Sequence, residues 1–143
     1  MIVLVCGGRQ FGVPLDHGPN LPSDVDLIRA DQDRKFLFQA LDRLHQERAI
    51  SIVIHGDADG ADRLSGTLAE SRQIPVRAFP ADWETHRRAA GPIRNKQTLD
   101  EGTPDLVVAF PGGRGTANMV LQSRSAGVSV MEVDASHAGQ TDR

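Results

Sequence analysis

Seven of the chain's 14 glycines, Gly7, Gly8, Gly56, Gly60, Gly112, Gly113 and Gly115, follow short apolar runs. That placement limits the possible folds more than any other feature. Five runs rich in β-branched or other apolar residues recur, at residues 2–6, 51–55, 76–79, 106–110 and 129–133. None alternates cleanly with polar residues. Runs apolar throughout predict strands buried on both faces, as in a parallel sheet covered by helices.

Helical patterns lie between the runs. Over residues 31–47, Phe36, Leu37, Ala40, Leu41 and Leu44 form one stripe. Asp31 and Asp33 suit the positive N-terminal end of that helix. Over residues 60–73, Ala61, Leu64, Leu68 and Ala69 repeat the pattern, and Pro75 ends it. Pro92 suits the first turn of a third helix running to about Asp100, closed by Gly102 and Pro104. A fourth spans residues 115–126 and stops at Gly127. The order β-α-β-α-β-α-β-α-β predicts an α/β fold: a doubly wound, five-stranded parallel sheet with helices on both faces. One domain is expected over residues 1–134, with a flexible polar tail at 135–143. Residues 11–29, with Gly12, Pro14, Gly18, Pro19 and Pro22, are expected to form a long loop.

Composition narrows the partners. Lys and Arg number 16 against 19 Asp and Glu, a net charge of −3, which lacks the positive excess of a nucleic-acid binder. Aromatics are 4% of residues, too few for a broad stacking platform on single strands. The single cysteine, Cys6, excludes an internal disulfide framework and a multi-cysteine zinc site, and is expected to be a buried strand residue. No apolar run approaches the ~20 residues of a membrane span. The opening apolar run is too short for a signal peptide and lacks a basic flank, so the expected location is the cytoplasm.

In an open α/β sheet, ligands bind outside the carboxyl ends of the strands. Three glycine turns converge there: Gly7-Gly8-Arg9, the segment from His55-Gly56-Asp57 through Asp59-Gly60 to Asp62, and Pro111-Gly112-Gly113-Arg114-Gly115-Thr116. In the third, glycines let a ligand approach the backbone. The helix that follows presents free N–H groups and its dipole to a phosphate, and Thr116 adds a hydroxyl. Glycines that only make tight turns are the plain alternative. The spacing is neither a P-loop nor the G-x-G-x-x-G fingerprint, which disfavours an NAD enzyme.

Asp57, Asp59 and Asp62 invite a metal reading, but the twelfth position from Asp57 is Leu68 where an EF-hand needs Glu. Helix capping or a ribose hydroxyl contact is favoured, with no metal and no cofactor expected. His55 is as readily a packed histidine as a functional one. Arg87, Arg88, Arg94 and Lys96 form a basic cluster that is a solvated face by default. Arg94 is set apart because it falls in the expected first turn of a helix, where a cation opposes the dipole. A guanidinium there suits a bidentate phosphate contact.

Taken in order, Val5-Cys6-Gly7-Gly8-Arg9, the His55-Gly56 to Gly60-Ala61-Asp62 segment, Ala81-Asp82-Trp83, Ala90-Gly91-Pro92-Ile93-Arg94-Asn95 and Phe110 to Thr116 resemble the YspA-type, cpYpsA-related branch of the SLOG superfamily, over about residues 1–133. The resemblance implies a Rossmann-like fold, a nucleotide or nucleotide-derived ligand, and a homodimer or higher homo-oligomer. It also brings in the LOG-type phosphoribohydrolases, which cleave the N-glycosidic bond of nucleoside 5′-monophosphates. Their motif P-G-G-x-G-T-x-x-E is matched from Pro111 to Thr116, but Met119 stands where the glutamate is expected. Methionine cannot stabilise a ribosyl centre as a carboxylate does. The relatives' catalytic arginine corresponds to Arg94, before Asn95. Glu84, Asp57 or Asp59 are the candidate substitute carboxylates.

The leading expectation is a nucleotide-binding sensor or module. Its site would comprise Gly7, Gly8, Arg9, Gly56, Asp57, Asp59, Arg94, Asn95, Gly112, Gly113, Arg114, Gly115 and Thr116. The alternative is a nucleoside-monophosphate phosphoribohydrolase with Arg94 as a catalytic group. Binding of single-stranded DNA, known in one branch of the superfamily, is a third reading, against which charge and aromatic content weigh.

Overall fold

The structure is a computed structural model that describes residues 1–15 and 21–133. The expected tail at 135–143, and residues 16–20 of the expected long loop, lie outside the described residues.

Five strands form one parallel sheet in the order β3-β2-β1-β4-β5. They are β1 (Ile2–Cys6), β2 (Ile52–His55), β3 (Val76–Ala78), β4 (Leu106–Ala109) and β5 (Ser129–Glu132). All four pairings are parallel, with Val3 opposite both Val53 and Leu106, and Leu106 opposite Ser129. Every residue of β4 is buried, as are Val3 to Cys6 of β1, which explains why these runs carry no polar alternation.

Two apolar layers cover the sheet. On one face Val3, Val5, Val53 and Val108 pack against Leu37, Leu41 and Leu44 of α1 (Asp24–Glu47) and Leu68 and Ala69 of α2 (Ala61–Ser71). On the other face Leu4, Ile54, Val107 and Val130 meet Leu99 of α4 (Ala90–Gly102) and Met119 and Val120 of α5 (Arg114–Ser125). A short helix α3 (Trp83–His86) and a 3-10 turn (Arg87–Ala89) lead into α4. The fold is the expected Rossmann-like, doubly wound α/β sheet. Among the described residues no helix is long and apolar enough to cross a membrane.

Two local expectations are corrected. Helix α1 begins at Asp24, seven residues before the expected start, so the loop after β1 is shorter than residues 11–29. Ser23 caps it, its hydroxyl accepting the Asp26 N–H at 3.1 Å. The first two turns have no apolar stripe to announce them: Val25 and Ile28 are exposed. Arg29 holds them instead, pairing with Asp26 and Asp33 and donating to the carbonyls of Gln10 and Val13. Likewise α4 begins at Ala90, not Pro92, because the 3-10 turn feeds directly into it. Pro92 still lies in the first turn, where its missing N–H is not needed.

Candidate functional site

Strand order reverses between β1 and β4, and the crevice outside their carboxyl ends is a cleft of about 900 Å³. Its walls come from the three glycine turns and the start of α4. A smaller chamber of about 300 Å³ adjoins it and shares Arg9, Gly56, Ala58, Trp83 and Arg94.

The first two turns interlock. Gly8 donates its N–H to the Pro111 carbonyl at 2.8 Å, while its own carbonyl accepts from Ala61 and Phe11, both at 3.2 Å. A Cβ on Gly7 would sit 2.6 Å from the Ala61 Cβ. Gly60 has φ +81°, and a Cβ there would collide with the Gly8 carbonyl. Gly56 is pressed against the Arg94 guanidinium, and Gly112 against the Thr116 hydroxyl. At these four glycines neighbouring backbone or side chains fill the space a Cβ would need. Gly113 and Gly115 differ: nothing lies within 4 Å of a Cβ at either. They open α5, with Gly113 as its N-cap residue and no side chain capping it. The first N–H groups of that helix have no intrahelical acceptor, and Gly113, Arg114, Gly115 and Thr116 line the cleft.

Cations share the cleft with this helix end. Arg9, Arg88, Arg94 and Arg114 line the cleft. Arg94 lies in the second turn of α4, so its expected opposition to the helix dipole does not apply. Its side chain reaches across to β2 instead, where Nη1 donates to the Gly56 carbonyl at 2.6 Å and Nε to Asn95 Oδ1 at 3.0 Å. Among the described residues Nη2 makes no hydrogen bond. Asn95 is buried, with 2% exposure, and its amide donates to the Gly115 carbonyl and to Asn118 Oδ1. Through Asn95 the start of α5 is tied to α4.

The three aspartates separate. Asp57 and Asp59 pair with Arg63 on the exposed rim, at 3.3 and 2.7 Å, and line the smaller chamber. Neither caps α2, whose N-cap residue is Gly60. Asp62 points inward and is only 5% exposed. Its Oδ2 accepts the N–H groups of Gly56 and Ala58 at 3.1 and 3.3 Å, bracing the β2 turn. Among the described residues its Oδ1 takes no donor. No sealed side-chain oxygen among the described residues goes unpartnered, so Oδ1 reaches the cleft that Asp62 lines. Burial pushes the Asp62 carboxyl up to about 6, against the opposing pull of those two N–H groups and of Arg94. Sequence reasoning named Asp62 for capping or ribose contact and looked elsewhere for a cleft carboxylate. Burial is the distinguishing property, and the spacing of acidic residues does not encode it.

Glu84 stands on α3, exposed. Met119 is buried, packed in the layer under α5, so the position of the expected glutamate holds core. Cys6 is buried at the cleft floor, and burial raises its thiol well above the usual range. His55 accepts the Asp57 N–H on Nδ1 at 2.9 Å and packs against Gly66, and burial lowers its pKa. Among the described residues no group of three or more His, Cys, Asp or Glu is placed to share a metal ion.

No solved structure matches the chain. The Gene 61 protein of Mycobacterium phage D29 is 34% identical over 111 residues, covering 72% of this chain and 88% of that protein. The profile of the YspA, cpYpsA-related SLOG family matches residues 1–86, which hold the first two glycine turns and Trp83. With more than half its length matched by the profile, the chain belongs to the YspA, cpYpsA-related SLOG family.

Proposed function

We propose that the cleft binds a nucleotide or nucleotide-derived ligand, with its phosphate seated on the N-terminus of α5. The observation that carries this reading is the open space at Gly113 and Gly115, facing a cleft lined by Arg9, Arg88, Arg94 and Arg114. Backbone N–H groups and a helix dipole there meet a phosphate without obstruction, and the arginines supply charge. Family membership points to the same class of ligand. Stabilisation by ligand is the direct test, since a ligand that binds only the native state raises its apparent stability. AMP, other mononucleotides and ADP-ribose are expected to raise the thermal midpoint, and Arg94→Ala to reduce the rise. No shift with any of them would refute the reading.

Asp62 supports a second reading, hydrolysis of the N-glycosidic bond of a nucleoside monophosphate. The water oxygen bonds to C1′, the C1′–N bond breaks, and the base leaves with a proton on its nitrogen. A cleft carboxyl held near 6 exchanges protons close to neutrality, as this step requires, and Arg94 stands beside it. Chromatography of AMP incubated with the protein tests this. Free adenine is expected from the wild type and not from Asp62→Asn. Absence of adenine after prolonged incubation leaves binding alone as the function.

A further inference from the structure

Trp83 is the only tryptophan of the chain, which has no tyrosine. It belongs to neither apolar layer and is 46% exposed, yet its position is held. Asp82 caps α3, its carboxylate accepting the Thr85 N–H at 3.0 Å, and the ring edge packs over Gly91, where a Cβ would lie 3.6 Å away. A large ring kept at a cleft mouth with nearly half its surface in water is unusual, because burial of that surface is favourable.

Arg9 lies over this ring, its guanidinium carbon 5.3 Å from the centroid. Among the described residues the Arg9 guanidinium makes no ion pair or hydrogen bond; it meets the Trp83 ring in a cation–π contact and feels the like charge of Arg94. Its backbone directly follows Gly8, whose N–H is bonded to Pro111 of the third turn. Arg9 therefore starts from the junction of the glycine turns, and Arg9 and Trp83 both line both chambers.

We propose that Trp83 is the platform for the planar base of the ligand. The base stacks on the ring in place of the Arg9 guanidinium, and Arg9, so released, pairs with the ligand's phosphate. This rests on the nucleotide-binding reading and adds to it a heteroaromatic base as a required part of the ligand. The exchange is favourable on both sides. A base overlaps an indole more fully than a guanidinium does, and a phosphate is a stronger partner for arginine than a ring face.

The single tryptophan makes the test direct, since the emission of the protein reports Trp83 alone. AMP and ribose 5-phosphate are titrated in parallel, with fluorescence and thermal midpoint both read. AMP is expected to quench the emission, while ribose 5-phosphate raises the midpoint and changes the emission no more than Arg9→Ala does, since it draws Arg9 off the ring without covering it. Trp83→Ala is expected to weaken AMP binding about tenfold or more and leave ribose 5-phosphate binding unchanged, with Trp83→Phe in between. Arg9→Ala is expected to alter the emission of the free protein and weaken both ligands. If AMP binds without quenching, and with equal affinity in Trp83→Ala, the base platform is wrong and the phosphate cradle stands. If neither AMP nor ribose 5-phosphate shifts the midpoint, the cradle and the platform fall together.

Discussion

The glycine turns at the sheet edge look alike in sequence and differ in physics. Gly7 and Gly60 are glycines because another backbone or Cβ occupies the space a side chain needs. Gly113 and Gly115 have empty space where a side chain would go. The first kind is explained entirely by packing within the protein. The second kind is unexplained by packing and opens a helix that shares its cleft with Arg9, Arg88 and Arg94. One residue type thus serves packing at Gly7, Gly60 and Gly112 and leaves open space at Gly113 and Gly115.

The comparison is most easily broken at Gly60. Gly60→Ala combines a left-handed φ with a collision against the Gly8 carbonyl, and is expected to cost roughly 3–5 kcal/mol in urea unfolding. A loss near zero would mean that the interlocked turns relax freely and that the distinction fails.

Asp62 gives the next largest effect, with a pH signature. Its carboxyl is raised by burial from 3.8 to about 6, so between those values the folded state holds a proton that the unfolded chain has lost. Stability therefore falls as pH rises through this window. The charged form costs up to about 3 kcal/mol above it, and the cost vanishes below the unfolded value. Asp62→Asn removes the titration. Its stability relative to wild type is expected to improve by up to that amount from acid to neutral pH, measured by urea unfolding of both proteins at each pH. A flat difference would show that Asp62 is not held in a desolvated cleft. The lowered pKa of His55 works in the opposite direction, losing stability as pH falls below its ordinary value of 6.5, but it is common to both proteins and cancels in the difference.

Gly115→Ala is the counterpart of Gly60→Ala. With open space and a helical position, it is expected to be neutral or to stabilise by up to about 1 kcal/mol, while the thermal shift produced by AMP shrinks. Stability lost together with binding would place Gly115 with the packing glycines. The smallest effect is expected at Arg63, whose pairs with Asp57 and Asp59 are exposed. Arg63→Ala should change stability by no more than about 0.5 kcal/mol in the same unfolding measurement. A larger loss would mean that the rim, and not Asp62, holds the β2 turn.

Much of the fold was legible because its signals are local. Runs such as Val3-Leu4-Val5 and Val107-Val108 carry no polar alternation, and that reads as a covered parallel strand before any contact is known. The start of α1 was not legible, since no apolar stripe follows the Ser23 cap and Arg29 instead ties these turns to Gln10 and Val13 in the loop after β1. The site was half legible. Its turns and Arg94 were visible as spacing. The inward turn of Asp62, the pairing of Asp57 and Asp59 with Arg63, and the tie from Asn95 to α5 were not.

Apolar runs and helical stripes alone dictated the order of strands and helices and their layering, because periodicity and turn chemistry are written within a few neighbouring residues. Which glycine faces open space and which carboxylate is buried came from assembly. The parallel sheet sets β1 between β2 and β4 and so brings Gly8, Ala61 and Pro111 into hydrogen-bond contact from distant parts of the chain. Only in that contact does space become filled at Gly60 and stay open at Gly115, and only there does desolvation single out Asp62.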